Sequence, residues 1–222
     1  LYTDVMHIKH DLETTLQAET YQEIVRLFTG LKDHAVPVFA RITKKAEQNA
    51  DKLLARLPAG KKRIALCVKG TFELKTWPKE YFVQIVTELA KKLDAAFFIV
   101  GAPNDKEYAE EVIADMPCKV ENFCGETSLV DLAAVFKKTD LLITVDTGAT
   151  HIAATTGIKM ITIYGCTSPK RWHPINDKAI VLTSEESCCP CKCRVDECPS
   201  APQYKCLCRI LPQEVLDNII GL

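Results

Sequence analysis

Three apolar runs constrain this chain more than any other feature: AAFFIV (Ala95–Val100), LLITV (Leu141–Val145) and MITIY (Met160–Tyr164). A strand with one face in water alternates apolar and polar residues, and these do not. Such runs suit strands covered on both faces, as in parallel sheets flanked by helices. The segments between them have helical period. Pro78–Leu93 carries Phe82, Ile85, Val86 and Leu89 on one stripe, with Pro78 at the favoured first position. Further strands are predicted at Arg63–Val68, Val120–Cys124 and Ala179–Leu182. Helices are predicted from Asn104 or Asp105 to about Met116, from Thr127 or Ser128 through SLVDLAAVFKK, and over Leu211–Ile220. Strand–helix alternation implies parallel strands joined by right-handed crossovers. The fold class is therefore α/β, a Rossmann-like parallel sheet with helices on both faces, spanning residues 61–222.

The opening residues 1–60 lack this rhythm. Leu1–Asp33 reads as mostly helical, with Leu12, Leu16, Ile24, Leu27 and Phe28 at helical spacing and Gly30 closing the helix. Val36–Ile42 is strand-like but contains Pro37, which suits an edge or a connector. Thr43 caps a helix that ends at Pro58-Ala59-Gly60. This part reads as the tail of a preceding domain plus a connector, and a first residue other than methionine suggests a fragment of a longer protein. A formal net charge of −1 argues against binding nucleic acid through phosphate neutralisation. No apolar run approaches the ~20 residues that span a bilayer, and no signal peptide opens the chain.

In an open α/β sheet, ligands bind beyond the carboxyl ends of the strands, so the loops there carry the chemistry. LLITVDTGATHIAATTG (Leu141–Gly157) places Asp146 at the end of a buried strand, with a turn glycine and a helix start behind it. The helix start offers unpaired N–H groups to a phosphate. KGTFELKTWP (Lys69–Pro78) adds Thr71 and Lys75, GAPND adds Asp105, and CGETS adds Thr127 and Ser128. Neither the GxGxxG dinucleotide fingerprint nor the P-loop occurs. Hydroxyls, a lysine, carboxylates, a histidine and helix starts together suit a nucleoside diphosphate bearing a polyhydroxylated group, with no divalent ion required. Each residue also has a plainer reading. Asp146 and Asp105 could be helix caps, Lys75 a surface lysine, and His151, one turn behind Thr147, a structural histidine. Trp77 and Trp172 read as packing residues.

Taken together, KTWPKEYF (Lys75–Phe82), GETSLVDLAAVFKKTDLLITVDTGATHIAATTG (Gly125–Gly157) and YGCTSPKRW (Tyr164–Trp172) resemble glycosyltransferase family 9, the ADP-heptose:lipopolysaccharide heptosyltransferases. The resemblance runs from about Ile64 to Ile220, the donor-binding half. It implies a GT-B arrangement of two Rossmann-like domains, ADP-heptose as donor substrate without a cofactor, and inverting transfer to the lipopolysaccharide core. It also implies roles: Lys75 and Thr71 for the diphosphate, Asp105 for the ribose, Thr127, Ser128 and Leu129 for the adenine. Asp146 would bind heptose hydroxyls, with Thr147, Gly148 and His151 near phosphate and sugar. The family's catalytic base is an aspartate of the acceptor domain, so this chain alone is expected to bind donor without transferring it. Val68-Lys69-Gly70 departs from the family's His-Pro-Gly type turn, and Gly165-Cys166 from its Gly-Pro. Lys69 could add a second phosphate contact or point to solvent. Residence in the cytoplasm is implied, with peripheral contact at the inner face of the inner membrane where acceptor lipids lie. A non-catalytic nucleotide-sugar-binding or assembly domain, or a nucleotide-sugar epimerase, are the alternatives.

The 11 cysteines are uneven. Cys67, Cys118, Cys124 and Cys166 read as small buried apolar side chains, and the whole set suits a reducing compartment. The rest crowd into a Cys-rich loop, 187–208. Cys188, Cys191, Cys198 and Cys206 match a four-cysteine pattern found in many family members, with Cys189, Cys193 and Cys208 as extras. Four thiolates opening with C-x-x-C could hold a structural zinc or an iron–sulfur cluster. Free thiols or disulfides are the other readings.

Overall fold

The computed structural model describes residues 11, 14–31, 38–39, 41–191 and 194–219. Leu12, Val36, Pro37, Ala40, Cys193 and Ile220, which figured in the reading of the sequence, lie outside the described residues. A first helix, α1 (Gln17–Thr29), closes at Gly30, whose φ of 72° lets its N–H reach Arg26 O. Residues 38–39 and 41–42 belong to no strand. Thr43 caps α2 (Lys44–Leu54), its hydroxyl accepting the N–H of Ala46.

From there the chain runs β1 (Lys62–Cys67), α3 (Lys79–Lys92), β2 (Ala95–Ile99), α4 (Lys106–Ala114), β3 (Val120–Asn122), α5 (Leu129–Phe136) and β4 (Leu141–Val145). It continues through α6 (Gly148–Ala154), β5 (Lys159–Tyr164), α7 (Pro169–Trp172) and β6 (Ala179–Thr183) to α8 (Lys205–Cys208) and α9 (Pro212–Asp217). The six strands form one sheet in the order β3-β2-β1-β4-β5-β6, every pair parallel. The first crossovers build outward from β1 to β3, and the chain then returns to start β4 on the other side of β1. That reversal is the switch point of a doubly wound sheet.

Both faces are covered, as the unbroken apolar runs require. On one face α3, α4, α8 and α9 pack over Leu66, Ile99, Ile143 and Ile163. The stripe Phe82, Ile85, Val86 and Leu89 is buried there, and so is Trp77, whose indole N–H donates to Ile210 O at 3.0 Å. On the other face α5 and α6 pack over Ala65, Phe98 and Leu142, and α2 joins them through Ala46, Ala50 and Leu54. The helix that the sequence reading put in the connector thus shares the core of the sheet. By contrast, Tyr21, Val25, Leu27 and Phe28 of α1 stand exposed.

The tail folds back onto the first strand–helix loop. Tyr204 donates its hydroxyl to Glu73 Oε2 at 2.6 Å, Tyr81 donates to Cys208 O at 3.1 Å, and Leu207 fills the space where a Cβ on Gly165 would stand. One reading of the cysteines needs correction. Cys166 is buried and disulfide-bonded rather than a free apolar thiol, because the Cys-rich loop returns to it, with Cys191 N–H donating to Cys166 O. Among the described residues no group of three or more His, Cys, Asp or Glu side chains is placed to hold a metal ion. Cys206 is buried in the core against Cys189, whose thiol pKa is raised by burial and by the neighbouring thiols; Cys198 pairs with Ser200 Oγ.

If α2 belongs to the folded unit, Leu54→Ala should cost about 2–3 kcal/mol by cavity formation. Leu27→Ala on exposed α1 should cost less than about 0.5 kcal/mol. Urea denaturation of the two variants checks the contrast.

Candidate functional site

The carboxyl ends of β1, β2, β3 and β4 open into a single cleft of about 780 Å³. Its size suits a small-molecule site. Cys67, Lys69, Gly70 and Thr71 line it after β1, and Gly101 to Asp105 after β2. Thr127, Ser128, Leu129 and Leu132 line it beyond β3, and Thr147, Gly148, Ala149 and Ile152 after β4. The cleft lies over the switch point, where the loops after β1 and β4 diverge.

Local chemistry explains how each wall is held. Ser128 and Asp131 form a capping box: the Ser128 hydroxyl accepts the N–H of Asp131, and the Asp131 carboxylate accepts the N–H of Ser128. This fixes the start of α5 against the cleft. Asp105 Oδ2 accepts the N–H of Ala102 at 2.8 Å, so it caps its turn as well as facing the cleft. Gly101 permits that turn to close, since a Cβ there would sit 2.9 Å from Cys124 Sγ and 3.1 Å from Asp105 Cβ. Thr150 ties the start of α6 to the end of β4, donating to Val145 O at 2.8 Å. The space around Gly148 is open: a Cβ there would meet nothing within 4 Å.

Seven of the expected residues (Thr71, Asp105, Thr127, Ser128, Leu129, Thr147 and Gly148) therefore share the cleft. Lys75, Asp146 and His151 do not line it. Lys75 Nζ sits 2.7 Å from Asp146 Oδ2, with side-chain exposures of 17% and 7%. The same carboxylate oxygen accepts the Thr167 hydroxyl at 2.7 Å. The two charges thus satisfy one another beside the cleft, below the edge where β4 ends. His151 faces a smaller cavity of about 250 Å³, shared with Tyr21 of α1 and with Arg171, Trp172 and His173. Crowding by surrounding atoms pushes the His151 pKa down; Asp146 opposes this, and Lys75 and His173 reinforce it. Trp77 is a packing residue, and Trp172 lines the small cavity under the Arg171 guanidinium.

Sequence reasoning missed two contributors, Thr167 and Cys67, and left a third open. Thr167 follows Tyr164 in the YGCTSPKRW motif but carries no charge to mark it. Cys67, read as core filler, reaches the cleft floor, its Sγ 3.7 Å from Thr147 Oγ1. Lys69, left between solvent and phosphate, lines the cleft, its Nζ 3.7 Å from Asp105 Oδ1 and 5.5 Å from the Tyr108 ring centre.

Comparison with known proteins now bears on this geometry. The model of glycosyltransferase family 9 (heptosyltransferase) matches residues 4–201. Lipooligosaccharide heptosyltransferase 2 of Campylobacter jejuni is 26% identical over 167 residues, covering 73% of this chain and 51% of that protein. The chain thus spans about half the length of the curated relatives it matches. A solved family 9 glycosyltransferase from Veillonella parvula superposes with a TM-score of 0.80 at 22% identity, over 96% of this chain and 61% of the other. The E. coli heptosyltransferase WaaC with ADP gives 0.66 at 22% identity, over 98% and 59%. Those two likenesses concern the fold.

Removing one partner of the Lys75–Asp146 pair leaves the other charge poorly solvated. Asp146→Ala should therefore lower stability by about 3 kcal/mol, the lower end for a broken buried pair. Lys75→Met with Asp146→Leu should recover part of it. Chemical denaturation of the two variants and the wild type checks both.

Proposed function

The chain belongs to glycosyltransferase family 9, and from that premise we propose that its cleft binds a nucleotide-sugar donor, ADP-heptose, as the donor half of an inverting heptosyltransferase acting on the lipopolysaccharide core. The observation that carries this reading is the cleft at the switch point, which unites Thr71, Asp105, Thr127–Leu129 and Thr147–Gly148 from four successive strand–helix loops. Its walls divide by chemistry. Leu129, Leu132 and Ile152 offer an apolar end to the adenine. Asp105 faces the ribose hydroxyls from the loop after β2. Thr71, Thr147 and the open space over Gly148 lie where the diphosphate would cross the switch point, against the start of α6. The sugar then emerges toward Asp146 and His151, and Lys75 with Thr167 holds the Asp146 carboxylate at that edge.

On this reading the nucleophile and its base come from elsewhere in a longer protein. A carboxylate there takes the proton of the acceptor hydroxyl, which attacks the anomeric carbon with inversion and expels ADP. Helix starts and the cleft's polar groups stabilise the charge that develops on the leaving phosphate. The exposed apolar residues of α1 support an additional domain packing on that side. Residues 61–222, with α2 against the sheet, would be the donor-binding unit, and α1 would belong with the acceptor side. Among the described residues no helix is long and apolar enough to cross a membrane. Contact with acceptor lipid at the cytoplasmic face of the inner membrane would then be peripheral.

ADP at 100 times its Kd should stabilise the chain by about 2.7 kcal/mol, a rise in Tm of roughly 5–10 °C. Differential scanning fluorimetry with ADP and ADP-heptose measures this. No shift with either would sink the donor-site reading.

A further inference from the structure

The segment after β5 serves two places. Thr167 donates its hydroxyl to Asp146, and Arg171, on α7, lines the small cavity of about 250 Å³ between α1, α6 and α7. Short as it is, α7 is firmly seated. Trp172 O accepts the hydroxyl of the buried Tyr164, and the N–H groups of Arg171 and Trp172 both donate to Ser168 O. Arg171 and Trp172 therefore meet the cavity from a fixed base. His151 lines it from α6, and its pKa responds to Asp146 and Lys75, so the cavity adjoins the Lys75–Asp146 edge.

The positive charge in this cavity has no counter-charge. Arg171 Nε donates to Gln17 Oε1 at 3.1 Å, and its other guanidinium nitrogens make no hydrogen bond to the described residues. Among the described residues no carboxylate lines the cavity and none pairs with Arg171, whereas Lys75 and Lys69 are each paired with an aspartate. The Trp172 ring lies 5.1 Å from the guanidinium carbon and supports its plane. What remains free is a planar fork of N–H groups, the geometry that grips a carboxylate or a phosphate through two parallel hydrogen bonds. A half-buried cation with nothing opposite it gains from an incoming anion what a paired one has already taken. The other walls are of a different kind. Tyr21 and Trp172 offer amphipathic rings, and His151 and His173 offer ring nitrogens beside them. Apolar walls with a few convergent polar groups mark a ligand pocket, and this one has room for about one sugar ring, not a nucleotide.

We propose that this cavity is a subsite for an acidic sugar unit of the acceptor, in which Arg171 takes the carboxylate or phosphate and the rings of Tyr21 and Trp172 take the apolar face of the sugar. The assignment to the acceptor rests on the reading of the neighbouring cleft as the donor site. On that reading the transferred sugar sits toward Asp146 and His151, and α1, which supplies Gln17 and Tyr21, belongs with the acceptor side. A group held between α1 and α7 then lies next to the donor sugar without entering the nucleotide cleft, which Arg171 does not line.

Nuclear magnetic resonance titration of the isotope-labelled chain, followed at the Trp172 indole N–H, tests this with glucuronate, glucose 6-phosphate, glucose and inorganic phosphate. Wild type, Arg171→Ala, Arg171→Lys and Gln17→Ala are compared, each checked for fold by circular dichroism and for ADP binding by calorimetry. In the wild type at least one of the two acidic sugars should bind about 10- to 100-fold more tightly than glucose, as a charge-assisted contact provides, and which of them does so distinguishes a carboxylate from a phosphate. Arg171→Ala should abolish that preference, Arg171→Lys should keep part of it, and Gln17→Ala, which removes the tether and leaves the charge, should keep most of it. ADP affinity should stay within about twofold in all three variants, because distant sites act independently. Acidic sugars that bind no better than glucose, or a preference that survives in Arg171→Ala, overturn the proposal, and ADP binding in the same samples leaves the donor site standing. Inorganic phosphate that binds as tightly as glucose 6-phosphate shows a bare anion site and overturns the sugar subsite. A wild type that binds no ADP removes the donor reading, and the assignment to the acceptor falls with it.

Discussion

Every strand of this sheet is parallel to its neighbours, and each connection must cross over the same way. Building outward from β1 to β3 and then starting again at β4 leaves two adjacent strands, β1 and β4, whose following loops run apart. The cleft is the geometric remainder of that reversal. Its lining follows from position: whatever residues end β1, β2, β3 and β4 become its wall, here a cysteine, a lysine, three glycines and a set of hydroxyls. Packing on both faces holds the strands in register, so the four loops are presented on a rigid edge.

Electrostatics then divides the site in two. The Lys75–Asp146 pair is shielded from water and shares a carboxylate oxygen with Thr167, so it organises structure beside the cleft more than it adds charge to it. Among the described residues the cleft proper holds one acidic and one basic side chain, Asp105 and Lys69, which form a looser and more exposed ion pair at 3.7 Å. Two charges that sequence placed in one loop, Lys69 and Lys75, thus act in different environments.

The sheet was legible because fully buried strands leave an unmistakable mark: AAFFIV, LLITV and MITIY could not be exposed on either face, and each is a strand. The stripe Phe82, Ile85, Val86 and Leu89 was legible for the same reason, as one face of a helix must be dry. Ser128 was legible as a helix start, and it caps α5; Asp105 does precede α4, but its carboxylate accepts the N–H of Ala102 in the turn before it instead of capping that helix. What sequence could not reveal was direction. The side of a turn from which Lys69 or Lys75 leaves depends on the close approach of Gly70 to residues five positions on, and Asp146 finds Lys75 and Thr167 only through the tertiary fold. The packing of α2 on the sheet was not legible because Ala46, Ala50 and Leu54 make a narrow stripe in a polar segment. The cysteines misled because spacing alone does not say which thiols meet.

The clasp at the back of the first loop has a consequence for how this site comes to exist. Tyr204, Cys208 and Ile210 hold Glu73, Tyr81 and Trp77 through hydrogen bonds between residues 131, 127 and 133 positions apart. The loop bearing Lys69, Thr71 and Lys75 therefore owes its shape to residues 204–210, far from it in sequence. The cleft thus depends on side chains that do not line it, and loosening that clasp would leave the same lining residues without the same support.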